Sequence, residues 1–108
     1  DVSMQNEFLS KRKVLFDRLR ANGYNVSLDD FMDMGYSEYF DQLLYMEIGY
    51  PTLATITSDI FNSPYGATSI QEYWANGFEG FFVKGAGRIK AISPQVYKKI
   101  TTLTNQYK

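Results

Sequence analysis

The chain contains neither cysteine nor histidine. Without cysteine there is no disulfide, no thiol nucleophile and no thiolate zinc site. The compartment stays open, because cysteine-free chains are compatible with cytosol, virion and secretion. Without histidine, no Ser-His or Cys-His catalytic pair and no imidazole-ligated metal can be completed within the chain. An excess of one charge is missing too. Eleven Lys and Arg stand against twelve Asp and Glu, a formal net charge of −1, and nothing favours a nucleic-acid partner. No apolar run reaches the length of a membrane span, and Asp1-Val2-Ser3-Met4 does not open a signal peptide. A start at Asp leads us to expect a processed product or an excised piece, with secretion or virion association favoured over cytoplasm.

What is present is apolar and aromatic mass. At 108 residues, 44% hydrophobic and 17% aromatic, the chain is expected to form one small domain, or a fragment of a larger one. Glycine and proline punctuate a succession of helical patterns. Phe8, Leu9, Leu15, Phe16 and Leu19 make a stripe over 6–21 that Asn22-Gly23 ends. The basic residues of that stretch, Lys11, Arg12, Lys13, Arg18 and Arg20, read as its solvated face. Ser27 caps a short helix through Met34, and Ser37 a longer one to about Tyr50, which Pro51 stops or kinks. Residues 52–61 fit either a helical stripe or a strand. A helix from Ser69 to about Val83 follows, then a loop, a linking turn over 88–92 and a last helix opened by Ser93-Pro94. The class expected is all-α with five or six helices and little or no sheet. N-terminal helices occupy 1–35 and a helical core 36–108.

The central stretch is 63–84. Glu72, Phe78 and Phe82 share one stripe of its helix, which allows an inward-pointing carboxylate. Equally, Glu72 lies in the first turn, where the helix dipole favours an acid and Thr68 or Ser69 could close a capping box. Trp74, Phe78, Phe81 and Phe82 read as core. Tyr36, Tyr39 and Tyr45 are candidates for an exposed interaction patch, since large rigid rings bind at low entropy cost.

The run Glu72-Tyr73-Trp74-Ala75-Asn76-Gly77-Phe78, with Tyr65-Gly66 before it and Arg88-Ile89-Lys90 and Ser93-Pro94-Gln95-Val96-Tyr97 after it, resembles anthrax lethal factor-like zincins. That family has a catalytic metallopeptidase domain and a non-catalytic domain that binds a partner protein. The resemblance implies that Glu72 holds the third zinc-ligand position and Tyr65 that of the oxyanion donor. The upstream partner of such a glutamate is His-Glu-x-x-His, two imidazoles at i and i+4 gripping zinc around a general base. The nearest match is Met46-Glu47-Ile48-Gly49-Tyr50. Glu47 keeps the general-base position, while Met46 and Tyr50 replace the ligands with side chains that are not usual for zinc. No cofactor is expected, and zinc only if sequence outside this chain completes the site.

Three functions compete on this reading. One is a non-catalytic zincin-like domain acting as a protein-binding or structural module. A second is the C-terminal fragment of an active zinc metallopeptidase whose histidines lie upstream, with the pentapeptide a coincidence. The third is a helical structural component of a larger assembly such as a virion. Complete zincins place a small sheet before the active-site helix, and residues 1–45 read as helices, so missing sequence or a partner is expected to complete some of the burial.

Overall fold

The computed structural model describes residues 2–105, leaving Asp1 and residues 106–108 outside the described residues. These form seven α-helices and no strand: α1 (Val2–Ala21), α2 (Leu28–Phe31), α3 (Glu38–Gln42), α4 (Tyr50–Thr57), α5 (Ile70–Val83), α6 (Ala86–Ile92) and α7 (Pro94–Asn105). A π-helical turn over Leu43–Ile48 joins α3 to α4, and a 3-10 turn over Pro64–Ala67 precedes α5. The all-α class holds. Residues 88–92, expected as a linking turn, belong to α6, and residues 52–57 of the ambiguous stretch are helical.

The organising element is α1. Met4, Phe8, Leu15 and Leu19 recur at helical spacing and enter one core with Phe31, Phe40, Leu44, Leu53, Ile89, Val96 and Ile100. Two of its basic residues overturn the expectation of a solvated face, because Arg12 is fully buried and Lys11 nearly so, whereas Lys13 and Arg20 are exposed. Lys13 and Arg18 pair in the open, with Asp17 and Asp59, each at 2.7 Å. The Arg12 guanidinium lies over the rings of Phe40 and Phe8, 4.1 and 4.7 Å from their centroids. It donates to four backbone carbonyls: Ala67 at 2.6 Å, Phe31 and Thr68 at 3.0 Å and Asp33 at 3.1 Å. A planar fork of donors can serve several carbonyls of irregular chain, which a helix interior could not offer. Burial pulls the Arg12 pKa down to about 10, with Asp33 and Asp41 pulling the other way. Because the Phe31 and Asp33 carbonyls face this side chain, α2 ends at Phe31 instead of running to Met34.

A second buried polar set fastens the C-terminal half. Lys11 Nζ donates to Ser93 Oγ at 2.6 Å and lies 4.9 Å from the centre of the Tyr73 ring. The Tyr73 hydroxyl donates to Glu7, whose other oxygen accepts from the Gln95 amide at 2.8 Å. Tyr73 has one proton, given to Glu7, so the Ser93 hydroxyl 3.1 Å away donates to it in turn. A chain from ammonium to carboxylate thus ties α1 to α5 and to the first turn of α7, where an anion suits the unpaired amides.

Candidate functional site

The pentapeptide 46–50 crosses a break. The helix expected to run to Tyr50 ends at Ile48, because Gly49 takes φ +96° and ψ 144°, a conformation that side chains resist. Pro51 sits in the first turn of α4, where it starts a helix instead of stopping one. Met46 (81% exposed) and Tyr50 therefore do not share a continuous helical face, and Glu47 projects to solvent. Among the described residues, no group of three or more Asp or Glu is placed to hold a metal.

Tyr65 and Glu72 do meet at one cavity, of about 360 Å³, with Tyr36, Asp41 and Tyr45. Local sequence explains each position. Ser69 caps α5 through the Glu72 amide at 3.2 Å, so Glu72 stands exposed in the first turn at the cavity wall. Ser37 caps α3 through the Phe40 amide, which sets Asp41 one residue further on. The π turn then adds a residue to the helical ring, closed by the Gly49 amide on the Leu44 carbonyl at 2.9 Å. Tyr65 stands between two other tyrosines, its ring centre 5.6 Å from those of both Tyr45 and Tyr50. Asn76 holds its loop, accepting from the Ser63 amide at 3.0 Å and donating to the Ser63 hydroxyl at 2.8 Å. On the far side of Tyr65 lies a second recess of about 230 Å³, bordered by Tyr50, Asn76, Glu79 and Lys84.

Among the described residues, no lysine or arginine lines the larger cavity. The Asp41 Oδ1 atom and the Tyr45 hydroxyl have no hydrogen-bond partner among the described residues and are shielded from solvent. Desolvation pushes the Tyr45 phenol well above its ordinary range, helped by Tyr65, Asp41, Tyr50 and Glu72. Desolvation likewise raises the Asp41 carboxyl, with Arg12 opposing it. These two residues were not singled out together in the sequence. Their i, i+4 spacing was visible, but the Tyr65 loop that makes it matter was not.

The outward side of α5 is the other feature, and it reverses an expectation. Its inward face is Tyr73, Gly77 and Gly80, where the missing side chains let Val96 and Asn62 come close. Trp74 and Phe81 are half-buried against the core, whereas Phe78 (42%) and Phe82 (60%) are exposed. Trp74, Phe78 and Phe82 form a ladder with ring centres 5.6 and 5.0 Å apart, continued sideways by Phe81 and Tyr97. Lysines border it: Lys99 lies 5.0 Å over Trp74 and Lys90 5.6 Å over Tyr97. The border follows a segregation of charge along the chain. No Lys or Arg occurs between Arg20 and Lys84, and no Asp or Glu from Lys84 onward.

The chain has no significant match among family models, curated proteins or solved structures.

Proposed function

We propose that this chain is a non-catalytic, protein-binding module that engages its partner through the outward face of α5. The observation that carries the reading is the ladder Trp74, Phe78 and Phe82, an aromatic stripe on a helix whose other side is already packed. Exposed contiguous aromatics on a folded domain mark interaction sites, and aromatic rings dominate binding energy there. The lysine border selects the partner's chemistry: an apolar surface rimmed by acids, such as the apolar face of an acidic helix. The zincin-like ancestry is part of the same proposal. Tyr65 and Glu72 face one cavity, as an oxyanion donor and a third ligand would, while the break at Gly49 separates the two replaced ligand positions.

Phe78→Ser with Phe82→Ser tests the surface, since both rings lie largely outside the core. The double variant should keep its helicity and melting temperature yet lose an acidic partner that the unaltered chain retains from extracts of its source. Retention should weaken with salt and with Lys99→Glu. Equal retention by both chains would overturn the reading. For the non-catalytic part, tight one-to-one zinc binding by calorimetry that Glu72→Gln abolishes would overturn it.

A further inference from the structure

We infer that the cavity between α3, the π turn and the start of α5 is a binding site for a primary alkylammonium group. The inference does not depend on the α5 surface. Tyr36, Tyr45 and Tyr65 supply aromatic walls, and Asp41 and Glu72 two carboxylates, within a space of about 360 Å³. Rings that present their negative faces together with anions hold organic cations, and the gain rises as the site excludes water. Among the described residues, no cation of the chain itself occupies the cavity lining. Arg12, whose charge acts on Asp41, directs its donors to the carbonyls of Ala67, Thr68, Phe31 and Asp33 and leaves Asp41 outside its hydrogen bonds.

The two carboxylates narrow the class. Glu72 stands exposed at the cavity wall, and Asp41 lines it beside Tyr45. Carboxylates accept charge-assisted hydrogen bonds, so a ligand bringing N–H donors gains where one bringing only methyl groups does not. This favours R–NH3+ over a quaternary ammonium, which offers charge without donors. A chain of four to six carbons carrying that group fits the volume, given that small-ligand pockets begin at about 300 Å³. The group has two possible sources, a free amine or the lysine side chain of a polypeptide.

The test is a chemical-shift titration of the full chain with four probes: n-butylammonium, Nα-acetyl-lysine methylamide, tetramethylammonium and 1-butanol. Both primary ammonium probes should shift the amides of residues 41, 45, 65 and 72, binding at least about tenfold more tightly than tetramethylammonium. That ratio corresponds to about 1.4 kcal/mol. Tighter binding of the free amine assigns a small-molecule site, and tighter binding of the lysine derivative a peptide site. Glu72→Gln, a change at an exposed position, should weaken both several-fold without altering the melting temperature, and Asp41→Asn should weaken them more. Equal shifts with 1-butanol, tetramethylammonium binding as tightly, or undiminished binding in Glu72→Gln and Asp41→Asn would each overturn the inference.

Discussion

Arg12 and Lys11 are neighbours in sequence that bury positive charge by opposite means. Arg12 meets four carbonyls, so its removal strands four acceptors inside the protein. Arg12→Met should lower stability by at least about 3 kcal/mol in urea unfolding, and Arg12→Lys should recover only part of that, because an ammonium cannot reproduce the fork. Lys11 keeps one hydroxyl acceptor, and desolvation lowers its pKa from 10.5 to about 8 despite the pull of Glu7. Between those values the unfolded chain binds more protons than the folded one, so stability rises with pH. The expected gain between pH 8 and pH 10 is about 2 kcal/mol, absent in Lys11→Met, as followed by denaturant midpoints across that range. Above pH 10 the burial of Tyr73, whose phenol is pushed up by desolvation and by Glu7, works in the opposite direction. None of this was legible in the run Lys11-Arg12-Lys13. A basic triplet on a helix looks solvated until the irregular segments that supply its acceptors are in place.

At the scale of elements, the α5–α7 contact rests on Gly77. A β-carbon there would sit 2.8 Å from Val96 Cγ1, and Val96 is fully buried. Gly77→Ala should therefore cost about 1–3 kcal/mol by forcing the helices apart, although alanine is the better helix former. Gly87, inside α6 with nothing within 4 Å, supplies the control: Gly87→Ala should raise stability by up to about 1 kcal/mol. Thermal or denaturant melts of the two variants should move in opposite directions. The same contact explains what the periodicity of α5 hid. Its aromatic stripe was legible as a stripe, but hydropathy assigned it to the interior, whereas close helix packing put the glycine face there. Helix existence and most caps were readable from Ser37, Ser69 and Pro94. The break at Gly49 was not, since a lone glycine before Tyr50-Pro51 reads as part of a helix about to end.

For the whole molecule, the segregation of charge matters more than its sum. An acidic middle and a basic C-terminal stretch lie in a body 48 Å long and 24 by 21 Å across. At about 0.01 M salt, where screening acts over roughly 30 Å, neighbouring molecules should attract one another and give a negative second virial coefficient in light scattering. At 0.15 M, where screening acts over about 8 Å, the attraction should vanish. The asymmetry lies in the order of the charges along the chain, and a near-zero total concealed it. The cavity, by contrast, was legible only as Tyr65 and Glu72, because its other walls come from a π turn that no residue pattern announces.

The clamp of Arg12 also governs how the protein opens. It joins segments that lie 19 and 56 residues away along the chain, and beside it the Ile70 amide donates to the Met34 carbonyl at 2.8 Å. Neither loop can swing out alone without abandoning the guanidinium that the other still holds. Backbone hydrogens in such connecting segments ordinarily exchange with solvent through small local fluctuations. Here the Ile70 amide should exchange only as fast as the α1 core does, so that two stretches of irregular chain belong to the slowest, last-opening unit of the molecule.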